Sequence, residues 1–425
     1  MTDTIEIVRD PLWDNIRLDA DALSALDTAA MQRLRYVRQL GHAFLVYPGA
    51  SHSRFEHALG AFQLARRALA LLAEQPLYAR LPLGSAREVR LAALLHDVGH
   101  YPFSHALEEA GFPSHEALGV AKLATGPLGE ALRSLGGVGL PARIGALVQG
   151  RSDNPLQGLI SGSLDLDKID YLSRDARNCG VPYGVVDVDR LLSSLTLIEL
   201  PDGRIEVGVH EKGISALESL LFAKYQMYRN VYWHHAVRSA TCMFKRAVRD
   251  AARAGTVTVE WVGEATDDGL MERLITAAPD GLAARLRQRR LFKRAVDMPA
   301  SEVPEAAGSW IADDPDLLEQ VEDALATQLG LAAGELLLDY PSRSSMLGVD
   351  LALRTRGGQA ERLTDEGRAG QLGLPRIAGE LYRSARRLRV FTAHPVTRPL
   401  QGVLSLAERS ADEVRAALSQ GATLI

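Results

Sequence analysis

RLAALLHDVGHYPFSH, Arg90 to His105, is the stretch from which the fold is read. It begins as an apolar helical run, Leu91 to Leu95, and then sets His96 and Asp97 side by side. Imidazole nitrogen and carboxylate oxygen are both ligands for a divalent metal. Neighbours on a helix point roughly 100° apart, so the pair can share one ion only off the helix flank or where the backbone breaks. Gly99, with Tyr101-Pro102 behind it, marks such a break. A single His-Asp pair after an apolar run is commonly a buried imidazole satisfied by its neighbour. Three other stretches point to a metal.

On the N-terminal side, Asp19 to Leu40 carries Leu23, Leu26, Met31, Leu34 and Val37 at helical spacing, which predicts a helix. Asp27 can cap a helix starting there, and Gly41 can end it. Gln32 and Arg35 share one face, by default a solvated one. Phe44 to Tyr47 reads as a short extended run closed by Pro48-Gly49. Arg54, Phe55, Glu56 and His57 then open a helix with an apolar stripe through Leu59, Phe62, Leu64 and Leu69. His57, one turn after Arg54, is a candidate metal ligand beside a phosphate clamp.

On the C-terminal side, His115 and Glu116 stand at a helix start, and residues 118 to 150 read as one or two helices. Leu159 to Gly184 is dense in acid: Asp165, Asp167, Asp170 and Asp175 alternate with Leu166, Ile169 and Leu172. Gathering these carboxylates is costly unless cations or hydrogen bonds compensate. Residues 189 to 209 predict a hairpin about Pro201-Asp202-Gly203. Ile214 to Arg253 predicts a helix with an aromatic and basic face, Tyr225 to Arg238. Beyond residue 255 the reading is acidic helices (264 to 289, 314 to 330), strands near Glu335 to Asp339 and Leu388 to Thr392, and a capped terminal helix, SADEVRAALSQ.

Composition sets the outer bounds. A chain of 425 residues, 47% hydrophobic and 24% charged, suits a globular protein with a large core and two or more domains. Net charge of -5 argues against a general nucleic-acid binder but permits a local basic pocket. Cys179 and Cys242 form no disulfide framework or metal spacing, which fits a reducing compartment. The N-terminus lacks a signal-peptide pattern, and no apolar run approaches the ~20 residues of a membrane span. The expected location is the cytoplasm, with no membrane partner. No repeats, low-complexity tracts or Gly-rich phosphate loop are present.

Four ligands follow: His57, His96, Asp97 and Asp167. Two imidazoles and two carboxylates suit Fe, Mn, Zn or Ni, and are softer than a typical Mg site. His100, His105 and His115 lie nearby in sequence, with Glu108 and Glu116, and can move protons near neutral pH. Arg54 and Lys168 add fixed positive charge. The set favours hydrolysis of a phosphate ester or anhydride.

Taken together, QRLRYVRQLG, YPGASHSRFEH, LLHDVGHYPFSH, PSHE and DLDKIDYLSRD resemble the HD-domain phosphohydrolases, most of all the deoxynucleoside triphosphate triphosphohydrolases, including the form with an added SAM domain, a domain not expected here. The likeness spans roughly residues 20 to 240. It implies a mainly α fold: an HD helical core over 1-254 and a smaller mixed α+β C-terminal subdomain over 255-425. It carries over the same four metal ligands. It implies His105 as the acid near the leaving oxygen, oriented by Glu108, with His100 and His115 on phosphates. Arg54, Lys168 and Tyr171 would hold the phosphate chain; Gln39 and Asp175 would meet the sugar 3′-hydroxyl, with Leu40 against the base. The implied reaction releases a deoxynucleoside and inorganic triphosphate. Asp27, Gln32 and Arg35 match positions where some members bind an activating guanine nucleotide between subunits, and dimers or tetramers are implied.

One departure concerns the sugar. Members that exclude ribonucleotides place a Tyr two turns after an Arg on the helix matching residues 225 to 240. Counting from Arg229 that place is Val237, with Tyr232 or His234 as substitutes if the register shifts. The alternatives are another HD chemistry, such as a nucleotidase or phosphodiesterase, a nucleotide-sensing interaction protein, and a single-stranded nucleic-acid binder, the last disfavoured by charge.

Overall fold

Leu91 to Leu95 is fully or almost fully buried, and it lies at the end of a helix that packs against three others. The computed structural model describes residues 5–304, 307–342, 348–364, 374–396, 400 and 402–425. In order, a hairpin, β1 (Glu6–Asp10) and β2 (Asp14–Leu18), precedes α1 (Ala20–Leu26) and α2 (Ala29–Arg33). Then come α3 (Arg54–Ala73), α4 (Ser85–Leu95), α5 (His115–Ala124), α6 (Gly126–Gly136), α7 (Leu140–Val148), α8 (Leu166–Cys179) and α9 (Val188–Ser194). The hairpin of β3 (Leu195–Glu199) and β4 (Ile205–His210) leads to α10 (Ile214–Met227) and α11 (His235–Arg253). The rest is α12 (Val259–Glu264), α13 (Asp267–Ala277), α14 (Leu282–Arg287), β5 (Lys293–Pro299), α15 (Ser309–Asp313), α16 (Pro315–Gln328), β6 (Leu336–Asp339), β7 (Asp350–Arg354), β8 (Ala360–Thr364), α17 (Leu374–Ala385), β9 (Arg387–Thr392), α18 (Gly402–Glu408) and α19 (Ala411–Ser419). The fold is mainly α with small sheets, as expected.

The central helix is α3. Ser53 caps it, accepting from the Glu56 N–H, while Glu56 reaches back to the Ser53 N–H. Its buried residues, among them Phe55, Ala58, Phe62, Leu64 and Leu72, run around much of the helix because α4 and α8 flank it. Burying each large side chain stabilises by roughly 1.5–3 kcal/mol. Gly60 lets α8 come close, since a Cβ there would overlap Asp170 and Arg174.

The two parts of the chain share their sheets and cores. β4 pairs antiparallel with β3 and parallel with β7, giving the order β3-β4-β7-β8. Val349, Leu351, Leu353 and Leu363 join the same apolar cluster as α3 and α4. A second cluster joins Tyr101 and Phe103 to α11, Leu270, Leu337 and Phe391. A third sheet, β5-β9-β6, is antiparallel and packs against α16.

Several local expectations are corrected. The helix expected over Asp19 to Leu40 is two short helices, because Thr28 turns its hydroxyl onto the Ala25 carbonyl (2.8 Å) and caps α2 instead of continuing α1. Asp27 therefore closes α1 and does not start a helix. Gly41 (φ +51°) opens a 3-10 turn over Gly41–Leu45, so Phe44 and Leu45 are not extended: the segment folds onto α11 and Phe103. Residues 118 to 150 fall within three helices, and the hairpin is preceded by α9. The 214-to-253 helix is interrupted by a wide π turn, Tyr228–Tyr232, followed by Trp233 and a His234 cap on Ala236. The 264-to-289 helix is split between α13 and α14, where Pro279 and Gly281 stand.

Candidate metal centre and cavity

Each proposed ligand sits at a helix end or on a helix that faces the same point. His57 lies in the first turn of α3, His96 and Asp97 just past the end of α4, and Asp167 in the first turn of α8. His57 Nε2 is 3.1 Å from His96 Nε2, 2.9 Å from Asp167 Oδ1 and 3.7 Å from Asp97 Oδ2. His96 Nε2 is 3.4 Å from Asp97 Oδ1 and 3.6 Å from Asp167 Oδ1. The structure brings all four together.

The hydrogen bonds behind these ligands decide the chemistry. His57 Nδ1 donates to Asp170 Oδ2 (2.7 Å), and His96 Nδ1 donates to the Ala93 carbonyl (2.9 Å). In neutral imidazoles both Nε2 atoms are then bare lone pairs, aimed at one another and at two carboxylates. Such a set is repulsive without a proton or a cation, and it matches the donor chemistry of a divalent metal. Without the metal, burial works against a charged His57, yet hydrogen bonds to Asp167 and Asp170 push its pKa up to about 10. Burial also works against charge on Asp97, but Arg54 beside it holds the carboxyl well below the usual range.

Asp170 anchors His57. Its Oδ2 also accepts Arg174 Nε (2.9 Å), and its Oδ1 accepts Arg174 Nη2 (3.0 Å) and the Trp13 indole N–H. Burial raises the Asp170 carboxyl, and Arg174 with His57 overcomes this to leave it at about 2. Arg174 is fully buried and also donates to Asp10 (2.8 Å).

A cavity of about 760 Å³ opens beside these ligands. Gln39, Leu40, Arg54, Tyr171 and Asp175 line it. Arg54 donates to Asp97 Oδ2 (2.6 Å). Glu108 is a fork: Oε2 accepts from His105 Nδ1 (2.7 Å) and Oε1 from His115 Nδ1 (2.6 Å). Burial would raise Glu108, but its two imidazole partners hold it far below the usual range. His105 is 59% exposed, and His100 stacks on His115 at 3.8 Å. Burial, then Arg54, lowers His100 well below the usual imidazole value, which keeps it neutral.

Lys168 lies outside the main cavity's lining; it donates to Asp165 and to the Gly162 carbonyl (2.7 Å), and borders a smaller recess with Lys224. The π turn lets Tyr232 donate to Asp175 Oδ2 (2.7 Å) from the cavity wall, while Val237 offers only an apolar surface; His52 Nε2 meets Asp175 Oδ1 (2.8 Å). Asp27, Gln32 and Arg35 lie away from the cavity lining: Arg35 bonds Gln32 (2.7 Å) and lies over Phe55.

The sequence reading missed Asp170, Arg174, His52 and Lys224 as parts of the site. Lys224 is 9% exposed, and burial followed by Lys168 lowers it to about 8. The spacing of Asp170 and Arg174 at i and i+4 was a visible signal; the others had none beyond residue type.

Residues 54–175 match the HD domain model and residues 186–366 the HD associated region. The chain is 36% identical over 293 residues to uncharacterized protein MJ1154 of Methanocaldococcus jannaschii, covering 69% of this chain and 60% of that one. It is 33% identical over 253 residues to uncharacterized protein YwfO of Bacillus subtilis, covering 58% and 56%. To the deoxynucleoside triphosphate triphosphohydrolase SAMHD1 of Homo sapiens it is 26% identical over 272 residues, covering 55% and 42%. The chain thus spans 60% or less of each of these relatives. Among solved structures, a hypothetical protein from Aquifex aeolicus matches with TM-score 0.68 at 25% identity, over 98% of this chain and 100% of that one. A phosphohydrolase from Bacteroides thetaiotaomicron shares the fold with TM-score 0.71 at 21% identity, over 92% and 100%.

Proposed function

We propose that this HD-domain chain is a divalent-metal-dependent nucleotide phosphohydrolase that cleaves deoxynucleoside triphosphates into deoxynucleoside and inorganic triphosphate. The observation that carries the reading is the pair of bare Nε2 atoms, 3.1 Å apart, between two carboxylates at the edge of a cavity with both cations and imidazoles. When bound, a divalent cation lowers the pKa of water and polarises a phosphoryl oxygen.

The chain's own residues supply the rest. Glu108 accepts the Nδ1 proton of His105 and so leaves Nε2 facing the cavity, where the imidazolium can give a proton to the leaving oxygen. Arg54 and His100 offer donors to phosphate oxygens, and His115 is held by the same Glu108. Lys224, poorly compensated and crowded by Lys168, gains from an anion nearby, so both lysines suit the far end of a phosphate chain. Gln39, Asp175 and Tyr232 form a polar edge for the sugar, and Leu40 an apolar surface for the base. An activating nucleotide at Asp27, Gln32 and Arg35, between copies of the chain, belongs to the same reading.

The test is turnover of each dNTP and NTP with Mn or Mg, products separated by anion-exchange chromatography. Inorganic triphosphate with free deoxynucleoside supports the proposal. Orthophosphate or a nucleoside monophosphate assigns another HD chemistry, and absence of turnover overturns the enzyme reading. His96→Ala and Asp167→Ala lose metal and activity with helical content unchanged; full turnover by metal-free Asp167→Ala protein overturns the ligand set.

A further inference from the structure

The backbone directly before His105 is held in an unfavourable shape. Phe103 has φ +57° and Ser104 φ +60°, two successive non-glycine residues in the left-handed region. Each costs on the order of 1–2 kcal/mol and persists only where the surroundings dictate it. The surroundings are identifiable. Ser104 Oγ lies 2.8 Å from the carbonyls of both Arg38 and Gln39 and accepts from Arg54 Nε (3.2 Å). The Phe103 ring stacks on His42 at 4.3 Å and packs on Phe244. The Phe103 N–H is accepted by Asp267 Oδ1 (2.9 Å), from a residue 164 positions later in the chain.

Asp267 is 1% exposed, and its carboxylate has no place in the proton or metal chemistry above. Its Oδ2 accepts the Arg38 backbone N–H (3.1 Å) and the Arg38 guanidinium (3.1 Å). One carboxylate therefore ties together the two strands of backbone, at Arg38 and at Phe103, that flank the cavity beside Gln39 and His105. Burial raises this group to about 6 against its hydrogen bonds to Phe103 and Arg38, a cost that a merely solvated surface acid would not carry.

We infer that Asp267 is a positioning residue: by clamping the Phe103–Ser104 turn it sets where His105 stands in the cavity. The inference rests on the reading of His105 as the proton donor. It assigns to α13, outside the four-ligand motif, a part in the site.

The experiment is a double-mutant cycle between Asp267→Asn and His105→Ala, reading dNTP turnover, metal content and amide exchange. Asn keeps the shape but puts an NH2 against N–H donors on one side. Asp267→Asn is expected to lower kcat about tenfold or more, with KM and bound metal within twofold of wild type. In the His105→Ala background it should cost nothing further, an outcome that general loss of stability would not give. Amide exchange at Phe103 to Ala106, measured by mass spectrometry with no substrate present, should quicken. Asp267→Ser, run in parallel, covers an Asn that the site cannot accommodate. Unchanged kcat and exchange, or an equal loss in both backgrounds, overturns the inference. If His105→Ala itself leaves the rate unchanged, the acid assignment fails, while faster exchange in Asp267→Asn would still report the clamp.

Discussion

Replacing Asp170 by Asn tests whether a residue that touches no substrate sets the metal affinity. The carboxylate accepts four hydrogen bonds: from His57 Nδ1, Arg174 Nε, Arg174 Nη2 and the Trp13 indole. The two Arg174 groups and the Trp13 indole can only donate, and His57 Nδ1 must donate for its Nε2 to be bare. An Asn amide has one accepting atom and one NH2, so whichever way it turns, two of these donors face an NH2. If His57 loses its acceptor, the tautomer with a bare Nε2 is no longer enforced. Loss of such an outer partner typically weakens metal binding by roughly 10–100-fold, or about 1.4–2.7 kcal/mol. The fully buried Arg174 keeps Asp10 but loses its second anion, and breaking a buried pair costs about 3 kcal/mol, worth roughly 3 °C in melting temperature for a chain of this length. Metal content is read after equilibration in a series of chelator-buffered metal concentrations, beside a thermal melt. Metal retention identical to wild type across the series, with the melt lowered as expected, would refute the claim that Asp170 fixes His57 for the metal.

Gly60→Ala should disturb the same place from the α3 side, since its Cβ would overlap Asp170 and Arg174; loss of several kcal/mol by denaturant titration is expected, and a neutral result would show that α3 and α8 can move apart. Glu322 is buried under β6, accepting the Leu338 N–H (2.8 Å), and burial raises its pKa to about 8. The folded state then holds a proton that the unfolded chain releases near pH 4.5, so this group stabilises below pH 4.5 and the contribution is lost as pH rises through about 8. Glu322→Gln should flatten that fall, by a few kcal/mol on the order of 1.4 per pH unit, in melting curves taken between pH 5 and 8; an unchanged slope removes Glu322 as its source.

What could be read from sequence was what lies close in sequence. His96-Asp97 at the end of an apolar run, Arg54 with His57, and the spaced aspartates of α8 each carry local signals, and the structure brings His57, His96, Asp97 and Asp167 to one point. The hairpin about Asp202 and the capped last helix were legible for the same reason. Partners were not legible. Asp170 and Arg174 showed as an ion-pair spacing, but Trp13 and Asp10, more than 150 positions away, complete their bonds. Lys168 had the residue type of a phosphate ligand, but its partners Asp165 and the Gly162 carbonyl, beside a smaller recess shared with Lys224, were not legible. Helix breaks escaped wherever a side chain took over a backbone bond, as Thr28 does at α1 and His234 at α11.

The C-terminal half shows why a boundary drawn from element types does not delimit the site. Arg238 on α11 lines the cavity and divides its guanidinium between Glu109 (3.0 and 2.8 Å) and Asp339 of β6 (2.6 Å). Glu109 follows Glu108, which holds His105 and His115, and also accepts from Lys245 (3.0 Å). Asp339 is fixed by β6 pairing with β9, and Tyr340 to Ser342 continue as cavity wall. A chain ending at residue 254 would leave Arg238 without Asp339, the Phe103 amide without Asp267, and β4 paired with β3 but not with β7. Each loss exposes or unpairs a buried group at a cost of about 1–3 kcal/mol. The HD associated region, residues 186–366, crosses that position and includes both Asp267 and Asp339. The proposed metal ligands come from the first 170 residues, but Asp267 and Asp339, beyond residue 254, hold parts of the cavity around them.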